Sequence, residues 1–394
     1  MTARSSTLAN RSGEASVDHH VNAVKQPRRI LSVVGARPNF IKLAPLSRAL
    51  ATRPDVEHRV VHTGQHYDPT MSDAFFAGFQ LPAPHYNLEV GSASHAEQTA
   101  RVMLRLEPVC LAEHPDLVLV YGDVNSTLAA ALVAAKQGIA VGHVEAGLRS
   151  GDWTMPEEVN RVLTDRVSAY LFAPSRDAVE NLCREGIPEE RVSFVGNIMI
   201  DSLVTALGAA RSLGAPARYA VAPGRYVVVT LHRPATVDDP AVLREIWRAL
   251  SEVGQDRVIL FPVHPRTRAR IAALDLAADG AGEGAGGVRL IDPLPYLEML
   301  SLLDAAGLVI TDSGGLQEET TFLGVPCLTL RSSTERPITC LQGTNRLVAA
   351  RCEAIVAAAR ARAGESRGDP PLLERWDGRT AERIVQVLCD GARF

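Results

Sequence analysis

The chain reads as an α/β protein made of two parallel-sheet domains. Its 394 residues suit two domains of ordinary size. Its strand candidates are continuous apolar runs, such as LVLV at 117–120, the pattern of strands covered on both faces. The strand-then-helix alternation also runs twice, once through 28–195 and again from 226 onward.

Taken in order, residues 1–27 are polar, lack the apolar stretch of a secretory signal, and read as a disordered tail. RRILSVV at 28–34 is the first strand; Pro38 then suits the first turn of a helix running to about Leu50. HRVV at 58–61 is the second strand, followed by the polar segment Thr63-Gly64-Gln65-His66-Tyr67-Asp68. A helix is expected over 96–114. LVLV then delivers Asp123, Asn125-Ser126-Thr127 opens an Ala-rich helix that Gly138 stops, and the run 139–144 ends in Glu145. This strand–helix–strand unit puts Asp123 and Glu145 at the carboxyl edge of one sheet, where open α/β sheets keep their ligands. Met155-Pro156 leads to a third acidic site, Glu157-Glu158, in the first turn of another helix. A strand (169–173), a helix (176–185) and a short strand (192–195) complete the first half, closed by Gly196-Asn197.

Residues 201–221 suit a helix and linker. The second half then offers strands at 226–231, 258–263, 288–291, 308–311 and 325–330, the last of them ending its sheet. Helices are expected at 240–253, at 266–276 and after Asp312-Ser313-Gly314-Gly315. Segments 277–287 and 366–371 read as loops, and 378–389 as a final helix. The domains are thus set at 28–200 and 201–372, with 373–394 forming a terminal helical segment.

Net charge is −4, so electrostatics make no case for nucleic acid or an anionic membrane, and no apolar run is long enough to span a bilayer. The six cysteines show no CxxC spacing. Cys110, Cys183 and Cys327 lie among apolar residues and read as reduced core thiols, fitting the cytoplasm. His62 and His66 have metal-like spacing but fall across a strand end and a loop, which disfavours zinc. No metal and no cofactor is expected: GxGxxG, GxxxxGK[ST] and GxSxG are all absent after the strands.

Candidate chemistry gathers at the sheet edges. Carboxylates at 123, 145 and 157 suit proton transfer. Arg37 and Lys42, at the first strand-to-helix junction, suit a phosphate. Asp312-Ser313-Gly314-Gly315 is the best anion site of the second half, with glycines for close approach and a helix start behind them. Glu318 and Glu319, one turn on, could accept ribose hydroxyls. His232-Arg233 and His264 each follow a strand directly. Glu335-Arg336-Pro337 and Gly343-Thr344-Asn345 are loop motifs without a role that spacing reveals.

The stretches GARPNFIKLAPL, GDVNSTLAA, HVEAGLRS, MPEEVNR, VGN, LHRP, FPVHPRT, TDSGGLQEE and TERP occur in this order. Together they resemble the non-hydrolysing UDP-N-acetylglucosamine 2-epimerases over roughly residues 28–350. The resemblance implies a GT-B-like fold of two Rossmann-like, doubly wound domains facing a central cleft, a homodimer, and a final helix packed back on the first domain. It implies inversion at C2 of UDP-GlcNAc to UDP-ManNAc by elimination of UDP to 2-acetamidoglucal and re-addition. It gives Asp123, Glu145, Glu157 and His232 catalytic roles. Arg37, Lys42, His264, Ser313, Gly314, Gly315 and Glu319 would bind substrate, the diphosphate lying on Ser313, Gly314, Gly315 and His264 and the ribose on Glu319. Gln65, His66 and Arg233 match a regulatory UDP-GlcNAc site in bacterial relatives. The chain departs from many relatives at Asn39 (Glu elsewhere), at Tyr67-Asp68 and at Pro234-Ala235. The competing readings are a hydrolysing epimerase releasing ManNAc and UDP, and a GT-B glycosyltransferase using a UDP-sugar.

Overall fold

The computed structural model describes residues 27–65, 81–276, 287–363 and 369–390. Residues 1–26 of the tail expected at the N-terminus, His66, residues 277–286 of the expected loop 277–287 and residues 366–368 of the expected loop 366–371 lie outside the described residues.

Two parallel sheets form the frame. The first is ordered β3-β2-β1-β4-β5-β6-β7, with β1 Arg28–Val34, β2 Val56–His62, β3 Tyr86–Asn87, β4 Leu117–Tyr121, β5 Ala140–Val144, β6 Tyr170–Ala173 and β7 Val192–Phe194. The second is ordered β10-β9-β8-β11-β12-β13, with β8 Tyr226–Thr230, β9 Val258–Pro262, β10 Gly287–Ile291, β11 Leu308–Thr311, β12 Cys327–Thr329 and β13 Asn345–Leu347. Both have the doubly wound, Rossmann-like order, whose direction reverses beside the first strand. The crevices therefore open at the carboxyl ends of β1 and β4 in one sheet and of β8 and β11 in the other.

Packing explains the continuous apolar strands. All five residues of β4 are buried, and the Ala-rich helix Asn125–Lys136 buries Ala129, Ala130, Ala131 and Ala134 completely between the sheet and the neighbouring helices His95–Glu113 and Pro156–Val167. Small side chains bring helix and sheet close, which fixes the turn between them. The helix Ile198–Ser212 joins the halves: Ile198 and Met199 enter the first domain's core, while Leu203, Ala206 and Ala210 enter the second's. It begins three residues before the expected start, because Asn197 caps it by accepting the Met199 amide at 2.9 Å. The helix Thr380–Asp390 packs Ala381, Ile384, Val385 and Leu388 into the first domain's core. The Asp201 carboxylate accepts the Thr380 and Ala381 amides at 3.1 and 2.7 Å, capping that terminal helix.

Two expectations are corrected. The strand at 325–330 does not end its sheet: β13 adds beyond β12, fed by the Gly343-Thr344-Asn345 motif. Cys183 is exposed, because it lies on the outward face of the helix Arg176–Arg184; Cys110 and Cys327 are buried as expected. An additional edge strand, β3, pairs with β2 through Tyr86 and Asn87. Among the described residues no helix is long and apolar enough to cross a membrane.

Candidate active site

The first wall is built where β4 and β5 end. Gly122 turns the chain out of β4 with φ +63°, and a Cβ there would stand 2.7 Å from Lys42 Nζ and 3.1 Å from Glu145 Oε2. Glycine thus leaves the space in which Lys42 and Glu145 meet as a buried ion pair. Asp123 follows, about a quarter exposed (26%), with Oδ2 3.0 Å from the Arg161 guanidinium. Desolvation would raise its pKa, but the Arg161, Lys42 and Arg336 charges outweigh that and hold it below the ordinary carboxylate value. Glu145 adopts φ +76°, a left-handed conformation costly for a residue with a Cβ, and strain of this kind concentrates at functional sites. Its other oxygen takes the Arg336 Nη2 at 2.8 Å. Burial pulls the Lys42 ammonium down from 10.5 to about 8.

The Glu157-Glu158 pair divides. Glu157 is half-buried in the first turn of the helix Pro156–Val167, and its charge acts on Arg233 of the second domain. Glu158 is 2% exposed and accepts the Ser150 and Gly151 amides and the Arg161 guanidinium, so it shapes the loop rather than facing a ligand. Asn39 uses its amide in both senses. Its Oδ1 accepts the Gly35 and Ala36 amides at 3.1 Å, and its Nδ2 donates to the Tyr121 carbonyl at 2.9 Å. A glutamate there could not make that donation.

The second wall is built where β8 and β11 end. Their register pairs Thr230 with Thr311, which brings His232, two residues past Thr230, beside Asp312, one residue past Thr311. His232 Nδ1 is 2.8 Å from Asp312 Oδ1, and the other Asp312 oxygen accepts the His232 and Arg233 amides at 2.9 and 2.8 Å. Burial would raise the Asp312 pKa, but His232, Thr236 and the Arg233 amide keep it low. The buried carboxylate orients an imidazole whose side chain is 57% exposed, leaving Nε2 to face solvent or substrate. Asp312 therefore positions His232 and is not itself the anion contact.

Ser313 precedes the helix Gly314–Leu323. A Cβ on Gly314 would collide with Arg336 Nη1 at 2.6 Å and Glu335 Oε1 at 2.8 Å, whereas Gly315 has only Met199 Cε within reach, at 3.8 Å. Gly315 is the open backbone position; Gly314 makes room for arginine. Arg336 is the residue whose role was not legible. Its guanidinium binds Glu318 Oε1 at 2.9 Å, Glu335, and Glu145 of the opposite domain. Through it the Ser313-Gly314-Gly315 motif is tied to the carboxylate wall. Glu319 is 5% exposed and accepts the Tyr296 hydroxyl at 3.1 Å.

The remaining candidates are more scattered. Arg37 opens the helix Arg37–Ala51; its side chain is not described. His264 is exposed after β9 and caps the helix Pro265–Ala273 by accepting the Arg266 amide at 3.4 Å. Gln65 is buried, and its Oε1 accepts the Ser126 amide at 3.1 Å and the Ser126 hydroxyl at 2.7 Å. That oxygen serves to cap the Ala-rich helix. Arg233 is half-buried near Arg331 and Glu335 on the second wall.

One wall thus offers ionised acids and a lysine, the other an oriented histidine and an exposed helix start, with Arg336 spanning them. The family model for UDP-N-acetylglucosamine 2-epimerase matches residues 48–389. The UDP-N-acetylglucosamine 2-epimerase of Methanocaldococcus jannaschii is 42% identical over 369 residues, covering 91% of this chain and 98% of that protein. The UDP-2,3-diacetamido-2,3-dideoxy-D-glucuronate 2-epimerase of Pseudomonas aeruginosa is also 42% identical, over 366 residues, 92% of this chain and 99% of that one. The crystal structure of the M. jannaschii UDP-GlcNAc 2-epimerase in complex with UDP-GlcNAc and UDP superposes with a TM-score of 0.84, covering 92% of this chain and all of that one at 42% identity.

Proposed function

The chain belongs to the UDP-N-acetylglucosamine 2-epimerase family, and on that premise we propose that it inverts C2 of UDP-GlcNAc reversibly to give UDP-ManNAc, without net hydrolysis. The C2 hydrogen is not adjacent to a carbonyl, so its direct removal is too costly. Loss of UDP from C1 makes removal feasible. A base takes the C2 proton, the C–H pair forms the C1=C2 bond of 2-acetamidoglucal, and the C1–O pair leaves with UDP. Re-addition places a proton on the opposite face of C2 and re-forms the C1–O bond. The step needs a base, an acid across from it, and a grip on the departing diphosphate.

The observation that carries this reading is the meeting of Asp123, Glu145 and Lys42 on one wall with Arg336 of the other. Asp123, Glu145 and Glu157 serve as the acid–base set, and His232 acts at the sugar–phosphate junction. Ser313, Gly314, Gly315 and His264 hold the diphosphate, with Arg37 and Lys42 at the edge between nucleotide and reacting sugar. The GT-B-like cleft keeps UDP in place between half-reactions. Purified enzyme with UDP-GlcNAc alone in D2O, followed by proton NMR, is expected to form UDP-ManNAc with deuterium at C2. Accumulation of free ManNAc, or inversion without label, would sink the non-hydrolysing elimination. The equally similar diacetamido-glucuronate epimerase supports a second substrate, and the same assay run on that sugar nucleotide separates the two.

Glu319 is assigned to the ribose. Burial raises its pKa to about 7, the Tyr296 hydroxyl lowering it and Glu318 raising it further. Ribose hydroxyls would donate to the ionised form and favour it. UDP binding below about pH 7 should therefore release a proton, and affinity should rise as pH climbs through that value. Without ligand the sign is the reverse. A carboxyl raised above its unfolded value contributes stability that is lost as pH rises through 7. Titration calorimetry at about pH 6 in buffers of different ionisation enthalpy counts the proton; none released would remove Glu319 from the ribose.

The assembly proposed is a cytoplasmic homodimer. On the helix His95–Glu113, Leu104 and Leu111 are 72% and 57% exposed and lie two turns apart, an apolar stripe suited to a second copy. Sedimentation of the native chain at 42.3 kDa, without a heavier species, would exclude it.

A further inference from the structure

The carboxylates Asp123 and Glu145 leave different strands, yet one buried pair touches the backbone beside both. His143, in β5, is wholly buried two residues before Glu145. Its Nε2 lies 2.8 Å from the Gly122 carbonyl, the peptide from which Asp123 hangs. Its Nδ1 lies 2.6 Å from Asp165 Oδ1. The other Asp165 oxygen accepts the Gly147 amide at 3.1 Å, two residues after Glu145, and pairs with Arg149 at 2.8 Å. Arg149 is fastened in turn to Glu185 at 2.7 Å.

Asp165 is surrounded by donors. Burial would raise its pKa, but His143 and Arg149 hold it below the ordinary value, so it is an anion. His143 consequently faces an acceptor at each nitrogen, a carboxylate and a carbonyl. A neutral imidazole has one N–H and could satisfy only one of them. The network assigns a proton to both.

From this arrangement we propose that His143 and Asp165 are positioning residues for the acid–base chemistry, with His143 held as a buried imidazolium that sets the Gly122–Asp123 peptide, while Asp165 brackets Glu145 from both sides. The bracket accounts for the left-handed Glu145 (φ +76°) and Gly147 (φ +84°), which flank Ala146 between the two grips. The reaction requires acid and base at fixed positions about one carbon, and a displacement of about 1 Å costs roughly 10²-fold in rate. Neither His143 nor Asp165 needs to touch substrate. This kinetic consequence rests on the epimerase reading; the protonation of His143 does not.

The test has two arms. With histidine labelled in ¹⁵N, the two ring nitrogens whose signals vanish in His143→Gln should each show a directly bonded proton. In the second arm, Asp165→Asn and His143→Gln should lower kcat for epimerisation by about 10²-fold or more, leaving KM within about threefold and UDP affinity unchanged. A neutral tautomer at His143, or a folded variant with wild-type kcat, overturns the proposal. If both variants fail to fold, the wholly buried ring is picked out in the native enzyme by the slow solvent exchange of its N–H protons, and their number decides alone. Native enzyme inactive on UDP-GlcNAc would refute the proposed activity and still leave the histidine signal to be read.

Discussion

Glu145→Gln is expected to abolish epimerisation and uptake of solvent deuterium at C2, lowering kcat by about 10³-fold or more, the upper part of what general acid–base catalysis contributes. UDP should still bind, because the diphosphate and ribose contacts lie on the other wall. The size of the effect follows from what surrounds the carboxylate. Glu145 is 6% exposed and lies between Lys42 and Arg336, the only cations bonded to it among the described residues. Glutamine keeps the volume but removes both the proton acceptor and the charge. Lys42 and Arg336 are then left facing each other without the anion between them, and Lys42, already pulled down to about 8, loses its proton more readily. Loss of acid–base function and loss of the lysine charge therefore act in the same direction. Single-turnover measurement of C2 exchange separates chemistry from binding. Exchange at the native rate in a folded Glu145→Gln enzyme would remove Glu145 from the proton-transfer set.

Much of this wall is visible in the sequence because its signals are local. LVLV followed by Tyr121-Gly122-Asp123, and the run ending in Glu145, each carry a strand and its edge residue in a few positions. The parallel crossover rule then places both acids on one side. What the sequence withholds is set by pairing between distant segments. Asp312 reads as part of an anion loop, and only the register of β8 against β11 turns it into the partner of His232. Arg336 stands in a short loop motif, while Glu145 and Glu318, which it joins, are 191 and 18 positions away. Glu158 looks like a second acid beside Glu157 until the Ser150 and Gly151 amides are seen to fold onto it. The strands β3 and β13, two and three residues long, are too short for any periodicity to register.

Arg336→Met should be the most destabilising single change at the site, costing about 3–5 kcal/mol at pH 8, the usual penalty for leaving buried charges without their partner. Arg336 is 7% exposed and neutralises three buried carboxylates at once, Glu145, Glu318 and Glu335. Lysine, a point charge on a flexible stem, cannot reach all three with its donors in place, so Arg336→Lys should recover only part of the loss. The pH dependence gives the claim its sign. Burial would raise the Glu335 pKa, but Arg336 and Arg331 hold it well below the ordinary value of 4.5. A carboxyl depressed in this way contributes stability above its unfolded pKa, and that contribution is lost as pH falls through the folded one. Removing Arg336 raises the carboxyls, so the variant should suffer most at neutral and alkaline pH. The gap to the native chain should narrow below about pH 5, where its glutamates protonate. Adding Glu318→Gln to Arg336→Met should restore stability, because it removes one of the stranded charges. Urea unfolding of the three chains across this pH range measures all of these effects. A gap that does not change with pH, or no recovery in the double variant, would mean that Arg336 acts through packing alone, and that the two walls are not joined by charge.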